Sequence, residues 1–199
     1  MKKSLLALFA LLTFAVCAST SAVQARESFR FSYKNTGLFL QTQFTGPCGQ
    51  NTLYLSAFEE TQQSAGKPVN GSRIDATLVD ACSGNDLYGQ MIIGPGTLEI
   101  NRDLTFGALH NPTIRLFDPA GNPTDIIVDV ATSSVGGLFT GRSRYSYQPF
   151  PGLTIIMVND GSSRDAVFNG TITIGGVSNY ISGTGTLFDG KGSTQYQYK

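Results

Sequence analysis

Residues 38–57 read Leu38-Phe39-Leu40-Gln41-Thr42-Gln43-Phe44-Thr45-Gly46-Pro47-Cys48-Gly49-Gln50-Asn51-Thr52-Leu53-Tyr54-Leu55-Ser56-Ala57. Leu38, Leu40, Thr42 and Phe44 fall on one side of a period of two, and so do Leu53, Leu55 and Ala57, which is the pattern of half-buried strands. Between the two runs stands a Gly-Pro-Cys-Gly-Gln-Asn cluster: Gly and Asn tolerate positive φ and Pro presets a corner, so the chain reverses there. The unit is an antiparallel hairpin.

The same unit recurs. Cys48-Gly49-Gln50-Asn51-Thr52-Leu53-Tyr54 and Cys82-Ser83-Gly84-Asn85-Asp86-Leu87-Tyr88 share the frame Cys-x-x-Asn-x-Leu-Tyr, 34 residues apart. That spacing holds two strands and two turns, so the cysteines are expected on neighbouring hairpin tips at the same end of a sheet, where they can bridge. A Cys48–Cys82 disulfide would stabilise by about 4 kcal/mol on the loop-entropy model. Further alternation at Phe29, Phe31 and Tyr33, at Ile74, Ala76 and Leu78, and at Ile126, Val128 and Val130 extends the pattern. Turn-like clusters at Asp118–Asn122, Asn159–Gly161 and Asp189–Gly192 predict further reversals, and residues 60–72 read as a polar connector. No window after the first segment shows a sustained period of 3.6. The fold class expected is all-β: an antiparallel meander of about ten to twelve strands forming a β-sandwich or closed barrel with one disulfide, because an open sheet that wide leaves an apolar face wet.

The first segment is read apart from the fold. Lys2 and Lys3 precede an apolar stretch from Leu5 to Ala18, then small polar residues and Val23-Gln24-Ala25, which together form a bacterial-type secretory signal peptide cut after Ala25. Residues 26–199 then form a single all-β domain, and Cys17 leaves with the leader. The remaining 174 residues carry 12 Lys plus Arg against 14 Asp plus Glu. This slightly acidic balance lacks the electrostatic footprint of a nucleic-acid binder. An even pair of cysteines suits an oxidising compartment, so the protein is expected in the periplasm or secreted.

Searching for chemistry excludes more than it finds. One His rules out multi-His metal sites, and no metal or cofactor is expected. Ser64-Ala65-Gly66-Lys67 matches Ser-x-x-Lys but lies in the polar connector, with no later Lys-Thr-Gly. Gly185–Lys191 matches the start of a phosphate loop, yet Gly192 stands where Ser or Thr must hold magnesium. His110, before Asn111-Pro112, reads as a turn histidine at a strand boundary. Glu59 and Glu60 are adjacent in a strand and face opposite sides. Asp125 and Asp129 read as solvent alternation, and the Asp residues of 118–125 and 160–165 lack the complete calcium loop.

One run carries a candidate ligand surface. In Arg142-Ser143-Arg144-Tyr145-Ser146-Tyr147, a period of two puts Arg142 and Arg144 on one face, suited to an anionic ligand, and Tyr145 and Tyr147 on the other, suited to stacking on a sugar. The expectation is a non-catalytic binding, adhesion or structural module, monomeric, with an extracellular or cell-envelope ligand, no nucleic acid and no membrane insertion. Three alternatives remain open at this point: a small-ligand barrel in the manner of lipocalins, with Gly136-Gly137 and Gly183-Thr184-Gly185 at bends in its wall; an outer-membrane barrel; and a carbohydrate-active enzyme with two facing carboxylates.

Overall fold

Alternation carries most of the chain into strands. The computed structural model describes residues 28–64 and 66–198; the leader reading of residues 1–25, Cys17 and Ala65 lie outside them. Among the described residues there are eleven strands and no helix: β1 (Ser28–Gly46), β2 (Gly49–Gln63), β3 (Val69–Val79), β4 (Asp86–Ile92), β5 (Leu98–Ile100), β6 (Phe106–Leu109), β7 (Thr113–Phe117), β8 (Pro123–Ser134), β9 (Phe139–Phe150), β10 (Leu153–Ile174) and β11 (Val177–Tyr198). All pair antiparallel in one sheet, β5-β6-β8-β7-β4-β3-β2-β1-β11-β10-β9. A further pairing of β8 with β10 returns the sheet on itself. The result is ring-like without being a barrel, because β4 and β7 meet through a single pair, Tyr88 and Phe117.

The ring is filled from within. Leu38, Leu40, Leu53, Leu55, Ile74, Leu78, Ile114, Leu116, Ile126, Val128, Ile172 and Leu187 are at most 1% exposed and form one cluster. Their outward neighbours are mixed and often polar, among them Gln41, Gln43, Ser56, Thr77, Gln90, Arg115, Asp129 and Asn169. Large apolar side chains also stand outward, among them Phe39, Tyr54, Tyr88, Phe117, Ile127 and Val167. β6 and β7 behave as one strand along the edge of β8, interrupted where Asn111 takes a φ of 50° before Pro112.

The hairpin reading of the cysteine frames holds. Cys48 lies in the β1–β2 turn and Cys82 in the β3–β4 turn, and they form a disulfide with Cα atoms 4.9 Å apart. Asn51 explains part of the shared frame: its buried side-chain oxygen accepts a hydrogen bond from the Ala81 N–H at 2.8 Å, tying one tip to the other. Asp118–Asn122 is the β7–β8 turn, as expected.

Two of the turn expectations are overturned. Asn159–Gly161 and Asp189–Gly192 lie in mid-strand and face each other, with Asn159 opposite Gly192, Asp160 opposite Lys191 and Gly161 opposite Gly190. Side chains of β1 pack over two of these glycines: a Cβ on Gly190 would stand 2.6 Å from the Asn35 side chain and one on Gly192 2.6 Å from the Tyr33 ring, while Gly161 faces only backbone. The connector is also shorter than expected: β2 continues to Gln63 and β3 begins at Val69. Gly136 and Gly137 fall in the β8–β9 loop, and Gly183 and Gly185 in β11, where a Cβ would meet the carbonyl oxygens of Gln41 and Phe39 at 2.7 and 2.5 Å.

β1, β10 and β11 outrun the ring, and β9 pairs along β10 to widen this extension. Here the apolar face changes sides. The face that continues the core now carries Lys34, Thr36, Asp189, Lys191, Asp160, Arg142 and Arg144, broken by Ile156 and Val158. The opposite face carries Phe29, Phe31, Tyr33, Tyr196, Ile155, Met157, Tyr145 and Tyr147. The Phe29 and Tyr196 rings lie 6.0 Å apart in a tilted pair, within the favourable range for aromatic contacts.

Candidate functional site

Where the inward leucines of β1, β2 and β11 end, polar side chains take their place on the same face. Register puts Glu59, Thr36 and Asp189 in one row across β2, β1 and β11, and Lys34 beside Lys191 in the next. β5 and the loop that follows it stand against this row. Together they enclose an open cleft of about 520 Å³ lined by Lys34, Thr36, Glu59, Asp189 and Lys191 on one side and Leu98, Ile100, Arg102 and Leu104 on the other.

The loop wall is built by local hydrogen bonding. The Asn101 side-chain oxygen accepts from the N–H groups of Thr105 (2.8 Å) and Phe106 (2.9 Å), and its amide donates to the Thr105 hydroxyl at 2.7 Å. Arg164 braces the same loop from below through the Asp103 carbonyl at 3.1 Å and reaches the Gly136 carbonyl at the same distance. Inside this frame Leu104 is buried although its φ is +55°, a left-handed conformation that a leucine side chain disfavours. Strain of this kind costs of order 1–3 kcal/mol and persists where surrounding contacts over-determine it. The Leu104 side chain is thereby held on the apolar wall of the cleft.

The polar wall is rich in cations. Thr36 donates a 2.6 Å hydrogen bond to Asp189, so that carboxylate is already engaged. Lys191 approaches Asp160 at 3.8 Å with both side chains largely exposed, a weak contact. Among the described residues no carboxylate lies within ion-pairing distance of Lys34 or Arg102. The cleft therefore offers three cationic groups around an apolar wall, with Glu59 and the hydrogen-bonded Asp189 as its acidic members.

Arg142 and Arg144 lie on one face of β9 and Tyr145 and Tyr147 on the other, all of them exposed, as the alternation predicts. The arginines share the cleft's face, and Arg142 stands in the row of Lys34, Lys191 and Asp160. His110 is in the exposed β6–β7 loop, 3.4 Å from Glu99, and approaches neither the cleft nor β9. Asp125 holds Arg115 through two hydrogen bonds of 2.7 and 2.9 Å, which keep its carboxyl below the usual carboxylate range. Asp118 caps its own turn, accepting from the side-chain amide and N–H of Asn122 and from the Ala120 N–H, and it too is lowered. Among the described residues no three His, Cys, Asp or Glu side chains gather to hold a metal.

No family model matches the chain, and no curated protein is significantly similar to it. A Nitrosomonas europaea protein that carries the provisional name AttH has a solved structure that aligns with 86% of this chain at 15% identity and a TM-score of 0.42. The chain spans about half of that protein, 52% of its length.

The sequence reading missed the cleft. Sequence adjacency sets Glu59 against Glu60, whereas strand register sets it in one row with Thr36 and Asp189 across the sheet. A signal was present in the period-two continuation of Leu40 and Leu38 into Thr36 and Lys34, where the core face turns polar without ending.

Proposed function

We propose that this chain is an exported, non-catalytic binding module that takes a small amphipathic anion in the cleft at the mouth of its ring. The observation that carries this reading is the composition of the cleft: Lys34, Arg102 and Lys191 set around Leu98, Ile100 and Leu104. A carboxylate or phosphate head would be held by the cations, and a short apolar tail would lie on the leucine and isoleucine wall. The volume falls in the range of small-molecule sites, about 300–1,000 Å³. The signal-peptide pattern of residues 1–25 and the cysteine pair support action outside the cytoplasm, since disulfides persist in oxidising compartments.

Isothermal titration of the mature chain with a medium-chain alkyl carboxylate, and with the alkyl ammonium of equal length, tests the reading. Saturable binding of the carboxylate alone, weakened by salt and lost in Lys34→Glu combined with Arg102→Glu, is the expected result. Equal binding of both amphiphiles, or none, would overturn it.

One arrangement favours a second reading, a carbohydrate hydrolase. Glu59 and Asp189 flank Thr36 in the same open cleft, two strand spacings apart, or about 10 Å between backbones, near the carboxyl separation of inverting glycosidases. Hydrolysis of a chromogenic glycoside that disappears in both Glu59→Gln and Asp189→Asn would select this reading over the first.

A further inference from the structure

The sheet has two free edges of very different character. One is β5, three residues long, and the other is β9, twelve residues long with every residue exposed. Folded proteins ordinarily blunt an edge by shortening it, bulging it or covering it, because its unpaired N–H and C=O groups recruit another strand. β9 is blunted near its end by Pro149 and by a register shift opposite Leu153–Ile155, and along its regular part only by the charges of Arg142 and Arg144, which repel a like-charged strand but not an acidic one. From Phe139 to Tyr147 it pairs regularly with β10, so alternate residues turn unpaired backbone groups outward.

The side chains restrict what can pair there. Arg142 and Arg144 share one face, and among the described residues neither has a carboxylate within ion-pairing distance. Asp160, opposite Arg142 across the strand pair, makes its contact with Lys191. A second copy pairing antiparallel about Ser143 would set Arg142 against Arg144, and like charges directly opposite destabilise a strand pair. The other face offers Tyr145 and Tyr147, continuous with Met157, Ile155 and Tyr196.

We propose that β9 is a docking strand for an extended segment of another protein that adds to the sheet edge, with acidic side chains at alternate positions facing Arg142 and Arg144 and apolar side chains at the intervening positions covering Tyr145 and Tyr147. Main-chain hydrogen bonds along the edge supply affinity, and the two faces supply specificity. No β9 residue lines the cleft, so the proposal stands whether or not the cleft binds an amphipathic anion.

Fluorescence anisotropy with a labelled, capped peptide of about ten residues alternating Glu and Val tests it. Saturable binding is expected, weakened about tenfold or more by N-methylation of the alternate peptide residues that face β9 and by less than about twofold by methylation of the others. Arg142→Glu with Arg144→Glu should transfer the preference to a peptide alternating Lys and Val, and Arg142→Gln with Arg144→Gln should bind both weakly; circular dichroism checks that each variant stays folded. No saturable binding would overturn the proposal. Equal loss from the two methylation patterns would overturn it too, by showing charge attraction without strand pairing. So would preferential binding of an acidic polysaccharide, or self-association abolished by the arginine variants.

Discussion

Replacing Gly170 by alanine should loosen the ring at the β8–β10 pairing that closes it. Gly170 lies opposite Val130 where β10 closes against β8, and a Cβ built there would stand 2.0 Å from the Asp129 carbonyl oxygen and 2.7 Å from the Val130 Cα. Carbon and carbonyl oxygen settle at about 3.3 Å, so the strands must part by roughly 1 Å. The obstacle is backbone, which cannot swing aside as a side-chain tip could. Separation at that point weakens the nine-pair β8–β10 ladder on both sides. Losing two or three net hydrogen bonds there costs about 2–3 kcal/mol, within the range for overpacked cores. Gly161→Ala is the internal control: it makes the same chemical change in the same strand, but its nearest neighbour, the Asp189 carbonyl oxygen, is 3.4 Å away, an ordinary contact. That variant should be neutral or gain up to about 1 kcal/mol, because glycine inside a strand is entropically costly. Urea unfolding of both variants with the disulfide intact measures the difference, expected mainly as a lowered midpoint for Gly170→Ala. Coincident midpoints would refute the reasoning, since they would mean that the seam is not closely packed or does not contribute to stability.

Two further outcomes are expected. Removing the bridge by Cys48→Ser with Cys82→Ser should destabilise by about 4 kcal/mol by the same urea assay, and thiol titration of the denatured, unreduced mature protein should find no free thiol. Stability should also fall in acid. The carboxyls of Asp80, Asp118 and Asp125 lie below their ordinary value of 3.8 in the fold. For Asp80, burial pushes the other way, but hydrogen bonds from Ser83 and the Cys82 N–H prevail. A lowered folded pKa gives a contribution complete above the unfolded value and lost as pH falls through the folded one, so amide protection factors in the turns at 80–85 and 118–122, each taken against the intrinsic exchange rate at the same pH, should drop below about pH 4 and stay flat above about pH 5. Protection that already declines near neutrality would contradict this assignment.

Much of the fold was legible because it depends on short-range patterns. Leu38 to Phe44 and Leu53 to Ala57 encode their strands by alternation, and Gly46–Asn51 encodes the reversal between them. The cysteine frames were legible because a hairpin tip is a local object. Ring closure was not: the pairing of Ile126 with Ile174 and the single contact of Tyr88 with Phe117 join residues whose separation in sequence carries no local signal. The faces of Arg142, Arg144, Tyr145 and Tyr147 followed from period two alone. The cleft required the register of three strands, which places Lys34 beside Lys191 and Thr36 beside Asp189.

The misread turns and the missed cleft have one physical origin. In β1 the register with β11 is continuous from Ser28 to Gln41, so no bulge moves side chains to the other face; the apolar positions themselves change phase, from Leu40 and Leu38 to Tyr33, Phe31 and Phe29. A phase change in an unbroken alternation requires a few residues that favour neither face, and Lys34-Asn35-Thr36-Gly37 supplies them. Facing it, Asp189-Gly190-Lys191-Gly192 does the same for β11, and Asn159-Asp160-Gly161-Ser162 for β10, aligned by register into one band across the sheet. Small polar residues and glycine are also what a reversal of direction uses, so composition alone cannot separate a strand that turns back from a strand that exchanges its buried face. The distinction lies in what stands opposite: a turn has solvent there, whereas these tetrads have each other. Because the core face becomes polar at this band while still facing the mouth of the ring, Lys34, Lys191, Thr36 and Asp189 line an open cleft together with Leu98, Ile100 and Leu104. The site therefore lies where the alternation changes phase, and the polar tetrads that resemble loops are what position its charged groups.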